Sequence, residues 1–144
     1  MRDQQYQEYR FSCRRRCMRM GDIAQLLNTT YWAKGRSRQK LLQCMRHSMP
    51  YGIFDAKGKQ VGFARVITDF ATTFYLADVV VREDLRGKGL GRAFMAYVLG
   101  DPRFRDTKGV LLTSTAVGFY RHFDFVLCED RCMLREYDKQ RREK

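Results

Sequence analysis

The stretch from Thr73 to Gly100, TFYLADVVVREDLRGKGLGRAFMAYVLG, decides how the rest of the chain is read. Thr73 to Val81 is apolar and rich in β-branched and aromatic residues, the composition of a buried strand, with one acid, Asp78, set inside it. A charged turn follows from Arg82 to Asp84. Arg86-Gly87-Lys88-Gly89-Leu90-Gly91 then opens a helix. Its apolar residues Leu90, Phe94 and Val98 recur every four positions, with Ala93 and Tyr97 on the same stripe. A strand thus runs through a glycine-rich turn into a helix. Glycines at alternate positions let the chain turn tightly and keep β-carbons away from anything approaching the backbone. The amides of a first helical turn have no partner within the helix, and the helix dipole adds to the charges of Arg86, Lys88 and Arg92. The place suits a pyrophosphate.

Spacing narrows the choice of ligand. A Gly-x-x-x-x-Gly-Lys-Ser/Thr nucleotide loop needs a hydroxyl after its lysine to hold magnesium, and here Gly89 follows Lys88. A dinucleotide fold needs Gly-x-Gly-x-x-Gly, but three positions beyond Gly89 stands Arg92. What remains is Arg-x-x-Gly-x-Gly, met by Arg86, Gly89 and Gly91. This resembles the acetyl-coenzyme A pyrophosphate loop of the GNAT superfamily of N-acetyltransferases. The competing reading of so short a motif is a plain glycine-rich connection.

At 144 residues the chain fits a single domain over 1–144, able to hide roughly 70% of its unfolded surface, with flexible ends expected at about 1–8 and 139–144. Hydrophobic residues make up 44% and aromatics 13%, with two prolines, which argues for a folded globule. No apolar run approaches the roughly 20 residues of a membrane span, and the polar start is not a secretory signal, so the reading is cytoplasmic and without a membrane. The net charge of +12 is concentrated at the front, where residues 1–46 carry eleven Lys/Arg against three acids. A field drawing in an anionic cofactor explains this with fewer assumptions than a nucleic-acid surface. Five cysteines suit a reducing compartment. Cys13 with Cys17 and Cys128 with Cys132 read as buried free thiols rather than zinc ligands, so no metal is expected.

Along the chain, Tyr9–Cys13 reads as a strand, Asp22–Leu27 as a helix, and Ser37 as the cap of a second helix reaching about His47 and stopped by Pro50. Tyr51–Phe54 and Val61–Thr68 form a hairpin that leads to the Thr73–Val81 strand. Val110–Thr113 reads as a further strand and Thr115–His122 as a short helix. Phe125–Cys128 with Cys132–Tyr137 reads as a closing hairpin.

That order is the order of the GNAT fold: α/β (α+β), with a mixed, largely antiparallel sheet of about six to seven strands and about four helices. A second motif agrees, since Phe119-Tyr120-Arg121-His122-Phe123-Asp124-Phe125 resembles the family's Phe-Tyr-Glu-Lys-x-Gly-Phe element, with Asp124 where glycine is usual. Tyr31-Trp32-Ala33-Lys34-Gly35-Arg36-Ser37, Gly62–Asp69 and Tyr75–Val79 look like a bacterial-type subgroup whose substrates are generally unassigned. That subgroup carries an acid and a histidine shortly before the tyrosine, and here Thr115, Ala116 and Val117 stand in their place.

The resemblance implies acetyl-coenzyme A as co-substrate, a primary amine as acceptor, on a small molecule first and a protein second, direct transfer in a ternary complex, and a homodimer as one option. It assigns the coenzyme to Arg86, Gly87, Lys88, Gly89, Leu90, Gly91 and Arg92, and to the backbone of Val79, Val80 and Val81. Tyr120 would protonate the departing thiolate, because a phenol pKa of about 10 lies above a thiol's of about 8.5; core filler is its other reading. Asp78 is the candidate base if desolvation raises its pKa, against a structural carboxylate paired with Arg65. Arg65 and Asp69 could bind the acceptor's carboxylate and amine, or form ion pairs. Trp32 either walls the acceptor site or packs as a lid on the core. Two rival readings are a coenzyme-binding sensor without turnover and a basic nucleic-acid-binding module.

Overall fold

A computed structural model describes residues 1–134 of the protein, and the strand readings ahead of the closing hairpin assemble there into one sheet. The elements are β1 (Gln4–Tyr6), β2 (Tyr9–Ser12), α1 (Met20–Asn28), α2 (Arg38–Arg46), β3 (Met49–Phe54), β4 (Gln60–Thr68), β5 (Thr73–Val81), α3 (Leu90–Leu99), β6 (Lys108–Val110) and α4 (Val117–Arg121). Spatial order follows chain order, β1-β2-β3-β4-β5-β6. Every neighbouring pair is antiparallel except β5 and β6. A parallel pair needs a crossover, and α3 supplies it. That parallel pairing is short, joining only Thr73–Tyr75 to Lys108–Val110. The sheet belongs to a compact unit spanning Met1–Thr113, while α4 lies in a second unit that starts at Ser114.

Side chains alternate across the sheet, so each face receives its own helices. Ile23, Leu26 and Leu27 of α1 and Leu41 and Met45 of α2 bury against Phe63 of β4 and Val80 of β5. On the opposite face lies α3, whose Leu90, Phe94, Met95, Tyr97 and Val98 are buried. The Phe11 ring lies 5.5 Å from Phe94 and 5.6 Å from Tyr97, and Tyr51 lies 6.2 Å from Tyr97. Ser37 caps α2 by accepting the Lys40 N–H at 3.2 Å. The carbonyls at the far end of α2 are held by Arg15, which donates to Met45 O and to Ser48 O.

Several sequence expectations change. The front end is not free. Residues 4–6 form an edge strand, Asp3 accepts from Arg10 at 2.9 Å, and Arg2 O accepts the Tyr97 hydroxyl at 3.2 Å. Pro50 lies inside β3 rather than stopping a helix, because α2 already ends at Arg46. The strand expected at Val110–Thr113 sits slightly earlier, and the Thr115–His122 helix is shorter. Phe125–Cys128 and Cys132–Leu134 carry no strand, and the rest of that closing strand and the 139–144 tail lie outside the described residues. Cys128 and Cys132 are exposed thiols rather than buried ones. No helix among the described residues is long and apolar enough to cross a membrane.

Candidate functional site

Asp78 sits on a β-bulge. Phe63 pairs with Val80 but Arg65 pairs with Ala77, so Ala64 faces both Asp78 and Val79. Asp78 takes up the extra residue by adopting a left-handed backbone, φ 54°, which costs a non-glycine residue about 1–2 kcal/mol. Two arginines hold it there. Arg65 donates from Nε to Oδ2 at 2.6 Å, and Arg36 grips the carboxylate with both terminal amino groups, Nη2 meeting Oδ1 at 3.1 Å. The Asp78 side chain is 3% exposed.

These partners overturn the expected titration. Burial alone pushes the Asp78 carboxyl up, but the hydrogen bonds and charges of Arg36 and Arg65 outweigh it and hold the carboxyl below its ordinary value. The expectation of a raised pKa is corrected, and with it the reason for choosing Asp78 as a base. Arg36 is the residue that sequence reasoning missed. It comes from the loop between α1 and α2, inside a Gly-Arg-Ser block whose charge stands beside a helix cap, and that position was the available signal.

Beyond Tyr75 no described strand pairs with the outer edge of β5, because β6 stops there. The Arg82 N–H donates to Val61 O on β4 at 2.9 Å. By ladder alternation Val80 also faces β4, and the amides of Val79 and Val81 face the open edge. Downstream, the tight turn read from the glycines is present and leads into α3. Gly87 and Gly89 are left-handed, φ 76° and 82°, and Gly89 caps α3. Ala93 N–H to Gly89 O is the first backbone hydrogen bond of the helix. The six amides from Gly87 to Arg92 make no hydrogen bond to any described residue. Arg86 braces the turn by donating from Nε to Val81 O at 2.8 Å, and Lys88 Nζ reaches Asp84 O at 3.3 Å. A row of amides without a described partner at a helix head, flanked by exposed cations, has the donors and the charge that suit an anion.

In the second unit Tyr120 lies on α4, half-buried, its ring 5.1 Å from Phe119 and 6.0 Å from Phe125. Burial pushes its phenol up to about 12, so the hydroxyl stays protonated at neutral pH. Asp124 adopts φ 63°, the left-handed turn that glycine would take more readily.

Asp69 and Trp32 fare differently. Asp69 closes the β4–β5 turn, accepting from Thr72 Oγ1 and from the amides of Thr72, Ala71 and Thr73, and these bonds hold its carboxyl far below the usual range. No hydrogen bond or ion pair joins it to Arg65, whose Nε is spent on Asp78. Trp32 is 48% exposed, edge-on to Tyr31 at 5.0 Å, rather than packed into the core. A recess of about 290 Å³ between α1 and α2 is lined by Gln25, Asn28 and Arg36 among others and includes none of the glycine turn. Of the basic front, Arg10 lies over the Phe54 ring and, with Arg14, on Asp3, while Arg15 caps α2. No three His, Cys, Asp or Glu side chains among the described residues group as metal ligands.

Residues 50–127 match the family model of the acetyltransferase (GNAT) domain, more than half of the chain. The chain belongs to the GNAT acetyltransferase family. Its matched segment contains the bulge, the open edge, the glycine turn and Tyr120. A GNAT-family protein of Xanthomonas campestris pv. campestris, solved by crystallography, superposes on this GNAT chain with a TM-score of 0.83 at 33% identity, covering 90% of this chain and 93% of that one. A chloroplastic serotonin N-acetyltransferase 2 of Oryza sativa subsp. japonica is 32% identical over 101 residues, 66% of this chain and 50% of the relative. An uncharacterized N-acetyltransferase, ycf52, of Gracilaria tenuistipitata var. liui is 25% identical over 114 residues, 76% of this chain and 63% of the relative. The chain therefore spans about half to two thirds of the length of these curated relatives.

Proposed function

We propose that this GNAT protein transfers an acetyl group from acetyl-coenzyme A to a primary amine by direct transfer in a ternary complex. The observation that carries the reading is the run of six unpartnered amides from Gly87 to Arg92, which answers the coenzyme's pyrophosphate. The amides of Val79 and Val81, along the edge β6 does not cover, are suited to the pantetheine arm and to the thioester oxygen. Fixed donors of that kind stabilise a developing oxyanion without reorganising.

Tyr120 gives its proton to the departing thiolate in this reading, and the raised phenol pKa supports it by keeping the proton in place. Asp78 is a positioning residue, since a carboxylate held between two guanidiniums is a weak base. The amine reaches its neutral form through solvent, and at pH 7 about one part in 10³ of an ordinary alkylamine is neutral. Trp32 and Tyr31, on the same loop as Arg36, border the acceptor. The protein acts in the cytoplasm.

Calorimetric titration with acetyl-coenzyme A is the first test, followed by thiol release over a panel of amines. Micromolar binding lost in Gly89→Val, with the circular dichroism spectrum kept, is the expected result. Binding that survives that change removes the glycine turn from the coenzyme site. Binding without release over a broad panel makes the protein a coenzyme sensor.

A further inference from the structure

One carboxylate faces two guanidiniums at the bulge, and the second guanidinium is only partly used. Arg36 commits both of its terminal amino groups to Asp78. Arg65 commits Nε alone, and its Nη1 and Nη2, four N–H groups, make no hydrogen bond to any described residue. Yet the Arg65 side chain is only 12% exposed. Every fully enclosed side-chain nitrogen or oxygen among the described residues has a partner, so neither of these two amino nitrogens is completely enclosed. The cluster has a net charge of +1, with Asp78 3% and Arg36 15% exposed. A nearly enclosed cation left unmatched is costly, and an incoming anion offsets that cost.

The place matters as much as the charge. Arg65 pairs across the ladder with Ala77, beside the bulge and next to where β6 ceases to cover the edge of β5. Its stem shares the α1 and α2 face with Phe63, two residues earlier on β4. A guanidinium with Nε already engaged presents its two amino groups as a planar fork, the geometry that matches the two oxygens of a carboxylate. We propose that the acceptor is a small amine bearing a carboxylate, an amino acid in the broad sense, and that Arg65 Nη1 and Nη2 hold that carboxylate two-pronged. This rests on the acetyl-transfer reading for its amine half. Asp78 is then the residue that aims Arg65 by fixing Nε, and Arg36 keeps Asp78 ionised and in place.

The test compares glycine, β-alanine and 4-aminobutyrate with their amides, at equal concentrations of free amine, in acetyl-coenzyme A thiol release by the full chain. The acids should exceed the amides in kcat/KM by about ten- to hundredfold, mostly through KM, as a charge-assisted pair of hydrogen bonds predicts. Arg65→Gln should bring the ratio close to one while calorimetric affinity for acetyl-coenzyme A is kept. Arg65→Lys, which keeps the charge and the pairing with Asp78 but loses the fork, should fall in between and decides the matter if the glutamine variant does not fold. A second measurement does not need turnover: N-acetyl-β-alanine and its amide are titrated against the chain loaded with coenzyme A. Equal use of acids and amides, or a ratio that survives Arg65→Gln, overturns the carboxylate subsite and leaves acetyl transfer standing. An Arg65-dependent preference for the acid in binding, with no release from any amine, upholds the subsite and overturns transfer. Neither preference nor release overturns both.

Discussion

Asp78, buried, and Tyr120, half-buried, are two acids whose titration is shifted in opposite directions. Desolvation raises both, but only Asp78 has cations beside it, and they reverse the sign. Tyr120→Phe should lower kcat by about a hundredfold or more, the span of a lost general acid, with the calorimetric affinity for acetyl-coenzyme A nearly unchanged. Equal turnover would remove the phenol from the reaction. Asp78→Asn leaves two guanidiniums facing each other, and breaking a buried pair in this way costs about 3–5 kcal/mol, to be read from urea denaturation at pH 7. Because the folded carboxyl titrates below its unfolded value, its contribution to stability is present above the ordinary carboxylate pKa near 3.9. It is lost as pH falls through the lower folded value, so wild type and variant should converge in acid. Sequence alone located Asp78 as an acid within an apolar strand. It could not supply the sign of the shift, because Arg36 stands 42 residues away and Arg65 13.

Among the elements, those with a local cause were legible. The strand into glycine turn into helix from Thr73 to Gly100 is written in spacing, and Ser37 marks the start of α2 by its own side chain. The β1 strand was not legible, because Gln4 and Gln5 carry no strand pattern and are ordered by pairing with Phe11 and Arg10 respectively. The bulge was invisible too, since a register shift belongs to two strands at once. The glycine turn allows a sharp expectation. At φ 82° any β-carbon is strained, so Gly89→Ala should destabilise the fold by about 1–2 kcal/mol. The neighbouring space is open apart from the Tyr6 hydroxyl, 3.5 Å from the added carbon, so the chain should still fold. Denaturation and calorimetry on the same variant separate that loss from a weakened hold on coenzyme. A stable variant with full affinity would mean that the left-handed cap is not needed.

For the molecule as a whole, the charge is its most unequal property, and composition predicted the sign of that field but not the use of its members. Arg10, Arg14 and Arg15 are engaged within the fold, while Arg86, Lys88 and Arg92 are exposed around the free amides. A cationic surface accelerates capture of an anion at a distance, and salt shortens that reach from about 10 Å at 0.1 M to about 3 Å at 1 M. Stopped-flow association of acetyl-coenzyme A should therefore slow by several-fold over that range, with dissociation changing less. A flat dependence would assign the surplus charge to some other task. The short reach of β6 has a consequence of its own in deuterium exchange. Val80 N–H faces the ladder with β4, whereas its neighbours on either side face an edge that no described strand covers. In the free protein the 79 and 81 positions should take up deuterium well before 80, and a coenzyme arm laid along that margin should abolish the alternation, giving a residue-by-residue footprint of the bound thioester.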